Sequence, residues 1–476
     1  MMNLGSKSCR WSLAAVACAV LAAPADHSRA IAQAGTPEDP TAALLSELIR
    51  VNTSNPPGGE GAIAELLAPR FRAAGFTVDI IPTPEAGKAH FIARLKGDGS
   101  KRPILLAAHA DVVGVEREKW TLDPFAGIIR DGYVFGRGAV DFKGGLAVFA
   151  RAALMLAEQK VPLARDVIFL AEADEEGGQY NTTWLAEGHW PLIDCEFALN
   201  EGGWILTRPD GSVRVVSIST ADKISLPVVL TARGVSTHSS MPRPDNAIFA
   251  LARALAKLAD HETEVKLTPG TRQFFQALAR TSEAPMAGYF RDVTGDNPEL
   301  VRRADREISK DPLLHALMRN TIAPVLMNAG FRANVIPGSA EATVNVRLIP
   351  GTDPADIVRE FQRVIGNPAV EVRVSAAAPA PVPTSSETTE LYRSLEKQAK
   401  AQFPGAEVAS YLFQAGTDAR AWRSRGVPVY GIYPYPVDAD DLTRMHGNDE
   451  RVRVRSLQQG TEMIFRTLVE VASRRQ

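Results

Sequence analysis

The sequence predicts an α/β fold, with a mixed, mainly parallel sheet interrupted by a smaller α+β segment. Three observations carry that prediction. Apolar runs from Ile104 to Leu106 and from Val167 to Ala173 read as buried strands that stop at His109-Ala110-Asp111 and Asp174-Glu175-Glu176-Gly177. Between them a glycine-rich loop, Gly136 to Gly145, leads into an apolar helical stretch from Leu146 to Leu156, which makes a βαβ unit with Asp141 near the helix entrance. Near Ile224 the pattern changes to alternating strands and helices, and an Ala/Pro-rich passage from Ala376 to Pro383 then returns the chain to its first character.

A chain of 476 residues exceeds one ordinary domain, and 45% apolar with 23% charged residues is neither a disordered nor a fibrous composition. A net charge of −2 without a long basic run argues against nucleic acid or an anionic membrane surface as partner. Residues 1–34 read as a secretory signal: Lys7 and Arg10 precede the apolar run Trp11 to Ala23, and Ala32-Gln33-Ala34 offers a small-residue cleavage site. The alternative, an uncleaved N-terminal anchor, is disfavoured because that run falls short of the ~20 residues of a spanning helix. Secretion or export to a periplasm, with no stable membrane insertion after cleavage, is therefore expected. Cys9 and Cys18 lie in this segment, so Cys195 stands alone afterwards and reads as a small buried residue rather than half of a disulfide.

In order, Pro40 to Gly75 alternates helical patterns around a Pro/Gly break at Asn55 to Gly61. Thr77 to Ile81 and His90 to Leu95 read as strands, and Phe197 to Leu199 as a short one ending in Asn200-Glu201-Gly202-Gly203. The segment 224–376 holds strands at Leu226 to Thr231, Ala342 to Leu348 and Val370 to Val374. Its helices are expected at Asp245 to Ala259 and Pro354 to Ile365, with a long, mainly helical passage from Val265 to Leu326. The remainder, 377–476, rejoins 35–223 with a helix at Leu391 to Gln402, a strand at Val427 to Tyr433 and an amphipathic helix at Leu457 to Ala472.

Ligand-binding residues of open α/β sheets gather outside the carboxyl ends of the strands, where His109, Glu176 and Glu201 are expected. Together with Asp141 and His446 they form a set of imidazoles and carboxylates that suits zinc, including a carboxylate able to bridge two ions. Asp111, two residues after His109, can accept a hydrogen bond from the imidazole and fix its tautomer. Of the neighbours Glu175 and Glu176, one can bind metal while the other takes a proton from water; burial among negative charge raises a carboxyl pKa and suits it to that exchange. Singly, each residue has a plainer reading: a satisfied histidine, a solvated acidic turn, or for Asp141 a helix N-cap. Their joint occurrence at strand ends favours the metal site.

The motifs His109-Ala-Asp111-Val-Val, Gly136-Arg-Gly-Ala-Val-Asp141-Phe-Lys-Gly144, Ala173-Asp-Glu175-Glu176-Gly-Gly, Asn200-Glu201-Gly-Gly and Met445-His446-Gly-Asn-Asp-Glu450 closely resemble those of the dinuclear zinc exopeptidases and amidohydrolases. That family includes glutamate carboxypeptidase, carboxypeptidase S, aminoacylase, acetylornithine deacetylase and succinyl-diaminopimelate desuccinylase. The resemblance spans the chain after the signal segment. It implies a zinc-exopeptidase-like catalytic domain split by an inserted lid at 224–376. Asp141 would then bridge two zinc ions, with cobalt or manganese as substitutes, His109 and Glu201 completing one site and Glu176 and His446 the other. Glu175 would be the general base. Gly234-Val-Ser-Thr-His238-Ser-Ser-Met-Pro242 with Asn246-Ala247 resembles the lid motif whose histidine stabilises the oxyanion, from the neighbouring subunit in dimeric members.

Asn334, Arg347, Gly416, Thr417 and Arg420 match positions that contact substrate; otherwise Arg347 reads as an exposed strand cation and Arg420 as a helix-surface charge. Phe142 departs from the second acidic residue of many relatives, at a position that is not a ligand. The Val265 to Leu326 passage lengthens the lid, resembles the carboxypeptidase S branch, and weighs against simple lid-to-lid pairing in the homodimer that the family otherwise implies. The expected activity is zinc-dependent hydrolysis of an amide in small peptides, of carboxypeptidase or dipeptidase type. The alternative is deacylation of N-acyl amino acids, and the rival of another class is an inactive binding protein, against which the retained ligands and Glu175 speak.

Overall fold

The computed structural model describes residues 39–375 and 380–474. The expected signal segment and the first four residues of the Ala376 to Pro383 linker lie outside them. Ile104–His109 is buried along its whole length and lies inside a ten-stranded sheet. Leu106 and Ala108 face one apolar core while Leu105 and Ala107 face the other, so both sheet faces are covered and the strand is apolar without alternation.

Across the sheet the order is Thr77–Pro82, Ala89–Leu95, Val167–Glu172, Ile104–His109, Phe197–Asn200, Val429–Gly431, Val213–Asp222, Ile205–Thr207 and Pro436–Val437. Glu407–Phe413 also pairs with Val213–Asp222. The four central strands, from Val167–Glu172 to Val429–Gly431, are parallel, with Ile104 opposite Val167 and His109 opposite Glu172. Their carboxyl ends therefore open on one edge. Lys143–Glu158, Val454–Ala472 and Pro40–Arg50 pack on one face, and Thr182–Ile193 on the other. Pro40–Arg50 begins where it does because the Asp39 carboxylate accepts from the amides of Thr41 and Ala42, with proline in the first turn. The N-cap of Lys143–Glu158 is Phe142, which leaves Asp141 free of the capping role.

A second, antiparallel sheet runs Thr321–Ala329, Ser339–Leu348, Ile224–Arg233, Val370–Val374. Ala247–Ala259 and Pro354–Ile365 pack on it around a core of its own that includes Leu226, Leu251, Val344 and Phe361. Pro354–Ile365 has the bounds its sequence announces: Asp353 caps it, proline opens it, and Gly366 closes it at φ 56°.

Most of the Val265 to Leu326 passage does not extend this smaller sheet. It forms helices Pro269–Thr281, Met286–Val293, Pro298–Ile308 and Pro312–Met318, and their apolar sides join the core of the large sheet. Phe274, for example, meets Tyr411 edge-on at 4.9 Å between ring centres. The passage also ends in a strand, Thr321–Ala329, at the edge of the lid sheet. Only Ile322, near its start, packs against the lid core, and Val325, Leu326 and Met327 are 55%, 68% and 71% exposed.

Val213–Asp222 of the large sheet continues through Lys223 into the lid strand Ile224–Arg233. The buried Lys223 ammonium donates to Ala316 O (2.9 Å), Arg319 O (2.8 Å) and Thr321 Oγ1 (3.2 Å), tying this crossing to the point where the chain re-enters the lid. Cys195 is buried, and burial pushes its thiol pKa up, as suits a packing residue. Among the described residues no helix is long and apolar enough to cross a membrane.

Candidate metal centre

His109 is the last residue of its strand, Glu175 and Glu176 lie in the turn after Val167–Glu172, and Glu201 directly follows Phe197–Asn200. Asp141 comes from the loop before Lys143–Glu158, and His446 from the loop before Arg451–Arg453. The fold brings all six together. Asp141 divides its oxygens between the histidines: Oδ1 lies 3.2 Å from His109 Nε2, and Oδ2 lies 3.0 Å from His446 Nε2. Glu201 Oε2 stands 3.5 Å from His109 Nε2, and Glu176 Oε1 stands 3.1 Å from His446 Nε2. Donor atoms of His109, Asp141 and Glu176 fall within 4.8 Å of one another, as do those of His109, Glu175 and Glu201.

Buried hydrogen bonds hold this geometry. Asp111 Oδ2 accepts from the Glu176 amide (2.9 Å) and from Asn55 Nδ2 (2.9 Å), and Oδ1 accepts from the Glu175 amide (3.2 Å). The His109 Nδ1–H points instead at the Asp111 backbone oxygen, 3.0 Å away, with the carboxylate at 3.6 Å. The tautomer is thus fixed by residue 111, mainly through its main chain, while its side chain shapes the glutamate turn. Asn55 Nδ2 also reaches Asp174 Oδ1 (2.8 Å), which Lys88 neutralises. The turn leaves room only for glycine at 178, because a Cβ there would sit 1.6 Å from the Asp174 carboxyl carbon.

Local patterns did not single out three contributors. Asn55 is one. Glu450 accepts from the amides of Val140 (2.7 Å), Asp141 (3.0 Å) and Gly138 (3.1 Å) and from Arg137 Nη1 (2.5 Å), so it shapes the Asp141 loop. Tyr433 places its hydroxyl beside Asp141 and Glu201. The only sequence sign of Glu450 was its place in the His446 motif.

The protonation of the cluster tests whether metal fits. Burial pushes the Glu201 carboxyl up to about 7, with His109 moderating the shift, and burial beside Glu201 holds Glu175 well above the carboxylate range. Hydrogen bonds that His446 donates to Asp141 and Glu176 raise its pKa to about 10. Burial opposes the charge on His109, yet Asp111, Asp141 and Glu201 together keep its pKa well above the usual imidazole value. The site therefore retains protons where divalent cations would serve the same electrostatic purpose, and its imidazole and carboxylate donors are those that zinc accepts. The residues fit a pair of such ions.

A pH dependence follows for metal-free protein. A raised native pKa means the folded state binds the proton more tightly than the unfolded chain, so that stabilisation is lost as pH rises. For Glu201 the loss runs from 4.5 through about 7, and for His446 from 6.5 through about 10. Thermal midpoints of chelator-treated protein should fall between pH 4.5 and about 7, above which Lys143 and Lys223, both held down to about 7 by burial, act in the opposite sense; the increment from added Zn2+ should grow as competing protons leave. Scanning fluorimetry with and without metal measures both; a zinc increment independent of pH would contradict the assignment.

Asp141, Glu175, Glu176, Glu201 and His446 line a cavity of about 490 Å³ together with Arg347, Gly416, Thr417 and Arg420. Arg347 and Arg420 are half-buried rather than surface charges, though Arg420 also donates to Ala380 O at 3.0 Å, and Thr417 Oγ1 donates to Asp222 Oδ2 at 2.7 Å. His238 and Asn334 are not part of this lining. Both are exposed on the lid, at a short ribbon in which His238 pairs with Val335 and the Ser239 amide donates to Asn334 O. Expecting them at the site assumed a lid position that this conformation of the chain does not have.

Residues 105–470 match the peptidase family M20/M25/M40. The probable carboxypeptidase S-like 2 of Dictyostelium discoideum is 33% identical over 77% of this chain and 71% of its own length. Human N-fatty-acyl-amino acid synthase/hydrolase PM20D1 is 29% identical over 79% of this chain and 76% of its own. Among solved structures, the M20 family metallo-carboxypeptidase Sso-CP2 of Sulfolobus solfataricus shares the fold with a TM-score of 0.66 at 19% identity, covering 91% of this chain and 99% of that one. The chain belongs to peptidase family M20/M25/M40 and is a hydrolytic enzyme acting on amide bonds.

Proposed function

We propose that this enzyme cleaves amides whose leaving nitrogen belongs to an amino acid with a free carboxylate, in the manner of a carboxypeptidase on small peptides. The observation that carries the reading is the division of the Asp141 oxygens between His109 and His446, the arrangement of a carboxylate shared by two cations. His109 and Glu201 would hold one ion, Glu176 and His446 the other, with zinc the expected metal. When bound, the ions supply Lewis acidity, polarising the scissile carbonyl and lowering the pKa of a water toward about 7. Glu175 takes the water's proton and passes it to the leaving nitrogen; its raised pKa suits both halves of that task. Arg347 and Arg420, lining the same cavity with Gly416 and Thr417, hold the substrate carboxylate by charge-assisted hydrogen bonds.

His238 and Asn334 act only if the lid, or the lid of a second subunit, carries them to the cavity. The exposed Val325, Leu326 and Met327 on an edge strand offer a surface for such a homodimer. Sedimentation at a single chain mass would exclude it.

A second reading, deacylation of N-acyl amino acids, has its own support. Of the lining carboxylates outside the metal cluster, Asp222 is engaged by Arg423 and Thr417, and Asp418 accepts from the Thr182 hydroxyl through Oδ1. Ile224, Val382, Phe413 and Met445 line the same cavity and present apolar surface to an acyl chain. The test is a panel of dipeptides and N-acyl amino acids of increasing chain length, each also as its C-terminal amide, assayed with and without chelator. Amidation should cost about 1.5–3 kcal/mol of transition-state binding, roughly ten- to a hundred-fold in kcat/KM. Equal turnover of acids and amides would remove the carboxylate requirement, and chelator-resistant turnover would remove the metals. A two-zinc protein inert to the whole panel would favour a binding role.

A further inference from the structure

We propose that Tyr433 is a positioning residue for the His109 ion site, its hydroxyl fixing which oxygens of Asp141 and Glu201 face the ion. This rests on the two-ion reading above. The Tyr433 hydroxyl lies 2.9 Å from Glu201 Oε2 and 3.1 Å from Asp141 Oδ1. Those are the oxygens that approach His109 Nε2, at 3.5 and 3.2 Å. The donors of the other site, Asp141 Oδ2, Glu176 and His446, are not among its hydrogen-bond partners.

A buried tyrosine needs only one acceptor, and its single O–H serves one oxygen at a time. Here it faces two carboxylate oxygens, both also turned toward the same imidazole, which is more than satisfying a phenol requires. The ring cannot follow a carboxylate that swings away. It is fully buried, stacked on Trp204 at 4.1 Å with planes 10° apart, and it meets Phe142 edge-on at 5.0 Å. Phe142 is next in sequence to Asp141, so one aromatic stack fixes the hydroxyl and flanks the shared carboxylate. A bond from this fixed donor limits rotation of Glu201 and draws charge from the oxygen it touches, which orients a ligand as outer hydrogen bonds to metal sites do.

The test is Tyr433→Phe, which keeps the ring and removes only the hydroxyl. Metal-free protein is titrated with Zn2+ against a chromophoric chelator, in the wild-type background and in His446→Ala, where the His109 site remains. The hydroxyl deletion should weaken one of the two wild-type sites, and the site left in His446→Ala, by roughly 10- to 100-fold. The other wild-type affinity should stay unchanged, while the metal-free thermal midpoint falls only by the cost of one lost buried hydrogen bond. The visible spectrum of Co2+ in the affected site should change as well. Unaltered affinities would overturn the proposal, and so would an equal loss at both sites accompanied by a larger fall in the metal-free midpoint, because that pattern reports packing alone. Wild-type protein that takes up a single ion would overturn the two-ion reading instead, while the comparison within His446→Ala still decides the part of Tyr433.

Discussion

Glu175→Ala should bind two zinc ions with nearly native affinity and lose roughly 10²- to 10⁴-fold in kcat, the usual contribution of a positioned general base. The glutamate turn is held by the main chain: the amides of residues 175 and 176 donate to Asp111, and truncating the side chain at 175 leaves those bonds intact. On the two-ion reading each ion would keep its imidazole, its own glutamate and its share of Asp141. The alternative is that Glu175 is itself a ligand, since its carboxylate lies within 4.8 Å of donor atoms on His109 and Glu201. Metal analysis separates the two. An inactive variant with both ions makes Glu175 the base, whereas loss of one ion with activity makes it a ligand. The acidic limb of the kcat profile should also disappear in the variant.

Glu450→Ala should destabilise the protein by about 3–5 kcal/mol, the typical cost of breaking a buried ion pair from one side. Removing this carboxylate strands the buried Arg137 guanidinium and leaves the amides of Gly138, Val140 and Asp141 without their acceptor. Arg137 retains Gly447 O at 2.8 Å and the face of Trp120 at 5.2 Å, neither of which neutralises it. Because two of the freed amides belong to Asp141 and its predecessor, metal affinity should fall along with stability. Urea unfolding with and without zinc reads both, and a change under about 1 kcal/mol, the value of an ordinary surface pair, would contradict this account of the loop.

What could be read from the amino-acid order follows from where the physical signal is local. His109, Glu176 and Glu201 were legible because uninterrupted apolar runs end beside them, and strand ends in a parallel sheet share one edge. The helix Pro354–Ile365 was legible for its cap, its proline and its terminal glycine. Glu450 was not, because its partners lie more than 300 positions earlier, and a buried acid paired across that distance leaves no nearby trace. Tyr433 was hidden in the same way, within an apolar run that accounts for it as core. Thr321–Ala329 carried no burial alternation because it lies at an exposed edge. The helices before it have clear amphipathic faces, yet amphipathicity does not say which of two cores receives them.

That last point bears on any attempt to exchange or remove the lid. The chain visits the lid sheet twice, and between visits it lays Pro269–Thr281 and the three following helices against the main core. A single excision across 224–374 would strip Phe274 and Phe275 from the catalytic body and bare the apolar surface around Tyr411. Chimaeras with relatives therefore need junctions on each side of the helical passage, and a donor lid whose one strand before the passage and three after it meet the ends that Lys223 fastens.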